Sequence, residues 1–147
     1  MTQEPFVIER TIDAPVEKVW QAITDKDVMK QWYFNVPAFK PEIGCEFTFE
    51  GGKDGRIYTH VCTITEVVPF QKLTHTWTYK GYEGVSYVSF ELTSEGDKTR
   101  VKLTHSGMER FASNNNPDFS PGNFAEGWTY IIGKGLPTFL EKQKSQA

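Results

Sequence analysis

Residues 44–106 alternate apolar and polar side chains in short runs that are separated by turn residues. Alternation with a period of two is typical of β-strands that bury one face. Glycine, proline or small polar residues predict turns at Gly51–Gly55, Pro69–Lys72, Gly81–Gly84 and Ser94–Lys98. Strands joined by such short turns pair with their neighbours in the chain, so this segment predicts an antiparallel meander of five strands.

Pairing centred on these turns predicts which side chains share a face of the sheet. The predicted pairs are Phe47 with Tyr58, Ile64 with Trp77, Trp77 with Val88, and Val88 with His105. One face then carries Phe47, Phe49, Tyr58, His60, Cys62, Ile64, Glu66, Leu73, His75, Trp77, Tyr79, Ser86, Val88, Phe90, Leu92, Val101, Leu103 and His105. The opposite face is polar and is expected to contact solvent. The first face is mostly apolar, so it requires a covering element.

The last part of the chain, Phe124–Lys142, predicts that covering element. Its apolar residues recur at steps of three and four, which gives a helix one broad apolar face. Asn123 is the predicted N-cap, with Glu126 three residues later. Three glycines and Pro137 weaken the helix interior, so we expect a kinked helix that is held by packing. These residues alone leave two possibilities, a plain core helix or a helix that roofs a ligand cavity.

The chain before the meander predicts one strand, over residues 5–12, and two short helices. Pro15 opens the first helix, and Asp25 caps the second, which reaches about Trp32. Segments 33–41 and 107–122 are predicted loops; Phe39 in the first either packs at the domain edge or gates a pocket. The second carries Met108 towards the terminal helix. No internal repeat or linker is found, so residues 1–147 are predicted to form a single α+β domain.

Composition narrows the classes of function. The chain of 147 residues contains 11 Phe, 6 Tyr and 4 Trp, more large aromatic side chains than one small core needs unless some line a cavity. The net charge of −3 is not gathered into blocks, which argues against nucleic acid and anionic membranes as partners. No run of 18 apolar residues and no leader-like N-terminus occurs, so we expect no membrane insertion and a cytoplasmic location. Cys45 and Cys62 lack metal-site spacing and are expected to be free thiols.

The candidate residues for chemistry are few. All three histidines fall on the predicted apolar face, but the predicted register separates them too widely to share a metal ion. No glycine-flanked serine nucleophile or phosphate-binding loop occurs, and no cofactor is predicted. Glu66 and His75 are predicted cross-strand neighbours, which suits either a general acid or base or a structural ion pair. His105 either contacts a ligand or is a satisfied core residue.

Five motifs occur in a fixed order over about residues 6–142: TIDAPVEKVWQAITDKDVMKQW, PEIGCEFTF, EVVPFQKLTHTW, KTRVKLTHSGM and FAEGWTYIIGKGLPTFLEK. Together they resemble the activator of heat-shock protein ATPase family, which belongs to the SRPBCC superfamily of START-like, helix-grip proteins. The resemblance implies a curved antiparallel sheet of six to seven strands wrapped around the terminal helix, with an elongated, mostly apolar cavity between them. This chain departs from the family pattern at Cys45, where a second glycine is common, and at His75, where an apolar residue is usual.

Three functions fit this resemblance. The favoured one is the binding of a small hydrophobic molecule in the cavity. The predicted ligand-binding residues are Phe47, Tyr58, His60, His75, Trp77, Tyr79, Val88, Phe90, His105, Met108, Phe124, Trp128 and Ile132. The second is a co-chaperone-like protein interaction in the stress response. The eukaryotic namesakes resemble this chain only in their C-terminal domain, so ATPase activation is not expected. The third is a cyclase- or hydrolase-type enzyme with Glu66, His75 and His105 as first candidates, although no residue is assigned as catalytic.

Overall fold

The structure is a computed structural model, and it describes residues 5–32, 36, 39–53, 56–107, 110–111 and 121–145. The strands are β1 (Phe6–Ile12), β2 (Glu46–Lys53), β3 (Arg56–Val68), β4 (Lys72–Tyr79), β5 (Ser86–Glu95) and β6 (Lys98–Ser106). The helices are α1 (Val16–Thr24), α2 (Lys26–Trp32), α3 (Pro121–Tyr130) and α4 (Leu136–Ser145), and the π-helical turn Ile131–Gly135 joins α3 to α4. None of the helices in these ranges is long and apolar enough to span a membrane.

All six strands form one antiparallel sheet in the order β1-β6-β5-β4-β3-β2. The meander from β2 to β6 follows chain order, and β1 pairs with β6 at the far edge. The terminal helical segment and the two short helices supply buried side chains to the same core as the apolar face of the sheet. The predicted α+β helix-grip architecture is therefore confirmed.

The observed strand register differs from the predicted one at three of the four pairs. Phe47 lies opposite Cys62 rather than Tyr58, because Gly51, Gly52 and Lys53 extend β2 instead of forming the turn. Ile64 lies opposite His75, and Trp77 lies opposite Ser86. Only the pair of Val88 and His105 is as predicted. Each error is an even number of residues, so the side chains stay on the predicted face.

Glu66 is the one member of the predicted apolar face that does not belong there. A β-bulge between Ile64 and Glu66 shifts the register by one residue, so that Glu66 pairs with Thr74 and Val67 pairs with the buried Leu73. A one-residue shift moves every later side chain of a strand to the other face. The Glu66 carboxylate instead lies 3.2 Å from the Lys72 ammonium, both partly exposed. The predicted Glu66–His75 pair is therefore wrong.

The terminal helical segment buries one residue in every four: Phe124, Trp128, Ile132, Leu136 and Leu140. In a regular α-helix a strict four-residue step rotates by about 40° each time, which would turn the later residues away from the sheet. The π-helical turn is wider than an α-turn and cancels part of that rotation. It ends two residues before Pro137, where the chain has no amide donor to continue the regular pattern.

Two predicted helix starts are wrong. The structure begins α3 at Pro121, so Asn123 lies inside the first turn rather than at the N-cap. Pro15 is the N-cap of α1 rather than its first helical residue. The predicted cap of α2 is confirmed, because the Asp27 amide donates to Asp25 Oδ1 at 2.9 Å.

Among the described residues between α2 and β2, Phe39 contributes an aromatic side chain to the core. Phe39 is buried and packs edge-on against Phe47, with ring centroids 4.9 Å apart. Trp32 at the end of α2 donates its indole N–H to the Ala22 carbonyl at 2.8 Å, which holds α2 against α1. Tyr33, Phe34 and the predicted ligand residue Met108 lie outside the described residues.

Candidate functional site

The two tryptophans that face each other across the core are in direct contact. Trp77 on β4 and Trp128 on α3 have ring centroids 5.4 Å apart in an edge-to-face arrangement. Phe90 also meets Trp128 edge-on at 6.2 Å. These contacts lie between the central strands and α3, the region where the resemblance implies a cavity.

A chain of hydrogen bonds crosses the same region, and we call its four residues, Trp77, Ser86, His105 and Trp128, the His105 seam. The Trp128 indole N–H donates to His105 Nδ1 at 2.9 Å. His105 Nε2 lies 2.7 Å from Ser86 Oγ, and Ser86 Oγ donates to the Trp77 carbonyl at 3.1 Å. All four residues are at least 95% buried.

The partners in the seam fix the protonation of His105. An indole N–H only donates, so Nδ1 must accept and carries no proton. Ser86 uses its own proton on a carbonyl, so it accepts the Nε2 proton of His105. His105 is therefore a neutral imidazole with both nitrogens paired, and burial lowers its pKa to about 3, with a smaller contribution from nearby His75.

A pocket opens on the other side of the core, beneath the two short helices. We call it the Phe39 pocket; its lining is Ile23, Met29, Trp32, Phe39, Phe47, Leu73, His75 and Phe90. The lining comes from α1, α2, the Phe39 segment, β2, β4 and β5, and from neither α3 nor α4. The pocket encloses about 300 Å³ including its mouth, but the cavity proper is only about 10 Å³. That cavity is about the size required by one water molecule.

His75 supplies the polar ring in this apolar lining. It is 4% exposed, and its Nδ1 lies 2.8 Å from the Thr76 carbonyl. A carbonyl only accepts, so Nδ1 carries the proton and Nε2 is left with a lone pair. No described residue donates a hydrogen bond to Nε2. Leaving a buried acceptor unpaired costs about 1–3 kcal/mol, so the unpaired Nε2 atom lowers the stability of the folded protein by about that amount.

The environment keeps His75 neutral. Burial lowers its pKa to about 4, although the bond to Thr76 opposes the shift. Its ring meets Phe47 edge-on at 5.2 Å and lies 6.3 Å from Phe90. At neutral pH Nε2 can therefore accept a hydrogen bond and cannot donate one.

The third buried histidine is part of the aromatic packing. His60 stacks on Phe49 with centroids 4.5 Å apart, and its Nδ1 lies 3.1 Å from the Tyr58 carbonyl. Burial lowers its pKa to about 4. Within the described part of the chain, no three His, Cys, Asp or Glu side chains lie close enough together to hold a metal ion. Neither Cys45 nor Cys62 is in a disulfide, and burial raises the pKa of Cys62.

Three of the predicted ligand-binding residues line the Phe39 pocket: Phe47, His75 and Phe90. The others described lie elsewhere in the core, in or beside the seam and the aromatic cluster: Tyr58, His60, Trp77, Tyr79, Val88, His105, Phe124, Trp128 and Ile132. The sequence argument missed Ile23, Met29, Trp32, Phe39 and Leu73 as pocket residues. Signals for two of them were present, since Leu73 was on the predicted apolar face of the sheet and Phe39 was a candidate gate.

An enzymatic arrangement of Glu66, His75 and His105 is not assembled. Glu66 is on the other face of the sheet with Lys72. His75 and His105 lie in one row of the sheet, on either side of Val88. His105 has both nitrogens paired within the seam. In the Phe39 pocket, His75 Nε2 is a hydrogen-bond acceptor for which the described residues supply no donor.

The chain is similar to many solved structures, among them the following three. Protein MLL2253 from Mesorhizobium loti is 26% identical, with 95% of this chain and 98% of that chain covered and a TM-score of 0.75. CalU16 from Micromonospora echinospora is 25% identical, with 92% and 73% covered and a TM-score of 0.66. DynU16, from the dynemicin biosynthetic locus, is 24% identical, with a TM-score of 0.77. The match covers 95% of this chain but only 48% of the DynU16 chain.

No curated protein matches the chain. The family model described as Activator of Hsp90 ATPase homolog 1-like protein matches residues 13–141, which is most of the sequence and includes every residue of the pocket and the seam. The chain therefore belongs to the family of Activator of Hsp90 ATPase homolog 1-like proteins.

Proposed function

We propose that this protein binds a small, mostly apolar molecule in the Phe39 pocket. The observation that carries the proposal is the lining itself, in which seven apolar side chains and one histidine converge from the helices and the sheet. Concave, mainly apolar pockets with one or two polar groups are the usual form of small-molecule sites. Each Å² of apolar ligand surface removed from water there contributes about 25 cal/mol.

Binding requires the pocket to widen, because its cavity of about 10 Å³ is smaller than any organic ligand. Met29 is suited to this change, since its unbranched thioether side chain has three rotatable bonds and packs adaptably. Trp32 is only partly buried at the mouth and stacks on Phe139 at 6.5 Å. The side chains at the mouth can therefore move with less loss of packing than those of the seam.

The co-chaperone function remains a prediction that follows from the family, and a pull-down against the host chaperone tests it. The enzymatic function also remains a prediction. The DynU16 relative comes from a biosynthetic locus, which is compatible with small-molecule binding by domains of this fold.

The test is to record methyl NMR spectra of the protein during titration with p-xylene, a neutral apolar probe. We expect shifts concentrated at Ile23, Met29 and Leu73. The variant Leu73→Phe should abolish these shifts and cost less than about 1 kcal/mol of stability, because the new ring extends into the pocket. The matched control Leu103→Phe, at a fully buried residue outside the pocket, should keep probe binding but lose about 1–3 kcal/mol by overpacking. Absence of p-xylene shifts in the parent, with equal destabilisation by both variants, would show a solid core and refute the proposal.

A further inference from the structure

The Nε2 atom of His75 provides an observation that apolar lining alone does not explain. The ring is buried and lines the Phe39 pocket, and among the described residues only its Nδ1 has a partner, the Thr76 carbonyl at 2.8 Å. The contrast with His105, whose two nitrogens are both bonded, shows that this fold can satisfy a buried histidine.

A single trapped water is a poor partner for this atom. A buried water is typically held by two to four polar groups. The other seven lining side chains are apolar except for the Trp32 indole N–H, which already donates to the Ala22 carbonyl. A water on Nε2 would therefore be held by one bond and would lose most of the hydrogen bonds that it makes in bulk solvent.

From this geometry we infer that the pocket selects molecules with an apolar body and one hydroxyl or N–H donor, which bonds His75 Nε2; phenols are the simplest class. The inference rests on the proposed function and specifies its ligand chemistry. No lining residue carries a charge at neutral pH, so the site is not built for a carboxylate or a phosphate. The lone pair of the unprotonated Nε2 would repel an acceptor atom of a ligand and would form a hydrogen bond with a donor group of a ligand.

The experiment compares p-cresol with p-xylene, which replaces the hydroxyl by a methyl group of similar size. The affinity of each probe is measured for the parent, for His75→Phe and for the matched control His60→Phe, which alters a buried histidine outside the pocket. The different cost of removing each probe from water is the same for every variant. It therefore cancels when the ratio of the two affinities in one protein is compared with the ratio in another. We expect the ratio to favour p-cresol about tenfold more in the parent and in His60→Phe than in His75→Phe.

A second readout on the parent does not depend on any variant folding. The ¹⁵N resonance of His75 Nε2 should shift on addition of p-cresol and stay in place with p-xylene. The inference is overturned if the affinity ratio is unchanged in His75→Phe, or if the Nε2 resonance does not shift on addition of p-cresol. In either case, p-xylene shifts at Ile23, Met29 and Leu73 would still support the proposed function. If neither probe reaches those methyl groups, both the inference and the proposed function fail.

Discussion

His75 and His105 occupy the same row of the sheet, on either side of Val88, yet they are in opposite chemical situations. Over His105, α3 places an indole N–H, and β5 places a serine hydroxyl beside it. Over His75, the short helices and Phe39 place carbon atoms. The position of a buried histidine on its strand therefore does not decide whether both of its nitrogens are paired. That depends on the element that packs over the histidine.

The same contrast separates the two halves of the core. In the His105 seam, aromatic edges and hydrogen bonds join the sheet to α3. In the Phe39 pocket, branched and aromatic side chains meet without filling the space. Hydrogen bonds between side chains hold the His105 seam, whereas the Phe39 pocket depends on adaptable apolar contacts.

The largest expected effect comes from replacing each histidine by phenylalanine. His105→Phe leaves the Trp128 indole N–H and the Ser86 hydroxyl without their partner, so it should lower the free energy of unfolding by about 2–5 kcal/mol. His75→Phe removes the unpaired Nε2 acceptor, which is favourable, and the hydrogen bond from Nδ1–H to the Thr76 carbonyl, which is unfavourable. The two effects oppose each other, so the free energy of unfolding should change by less than about 1 kcal/mol. Urea unfolding at pH 7 measures both.

Equal losses in the two variants would break the comparison, since they would mean that Nε2 of His75 is satisfied in solution. If His105→Phe does not fold, Trp128→Phe is the milder substitute. It removes the donor to His105 Nδ1 together with part of a buried ring, and it should cost about 1–3 kcal/mol.

The next effect is a dependence of stability on pH. A histidine in the unfolded chain has a pKa of about 6.5, whereas the pKa of His75 in the folded protein is about 4. Between these values the unfolded state binds more protons, so stability falls as the pH is lowered. His75 should account for about 2 kcal/mol of the loss between pH 7 and pH 5.

Replacement of His75 by phenylalanine should remove that share, so the difference in stability between pH 7 and pH 5 should shrink by the same amount. His60 and His105 also have lowered pKa values and should keep a slope in the variant. Parallel curves for parent and variant, measured by urea unfolding at both pH values, would show that His75 titrates normally and is not in a dry pocket.

The smallest expected effect is in tryptophan fluorescence. Trp32 lines the pocket, whereas Trp77 and Trp128 are packed in the seam. p-Cresol should therefore alter the emission of only one of the 4 tryptophans. The response should vanish in Trp32→Phe and persist in Trp20→Phe, the matched control on α1 whose indole packs on Phe70. A change in emission that persists in Trp32→Phe would place the probe in the seam. The seam, and not the Phe39 pocket, would then be the part of the core that admits a small molecule.

The sequence alone determined the fold class and the inward face of the sheet. Alternation with a period of two is a local property, and even-numbered register errors do not change it. The Phe47–Tyr58 pairing was wrong by four residues and still placed both side chains inside. Glu66 failed because a single inserted residue at the bulge changes the face, and no local pattern marks that insertion.

Tertiary structure alone decided where space remains in the core. Trp77 and Trp128 were both predicted to face inward, but only packing shows that their rings touch. The pocket depends on how α1, α2 and Phe39 meet the sheet, which is set by contacts between residues far apart in the chain. The same holds for His75 and His105: the sequence places both on the buried face, and the position of a single donor on α3 distinguishes them.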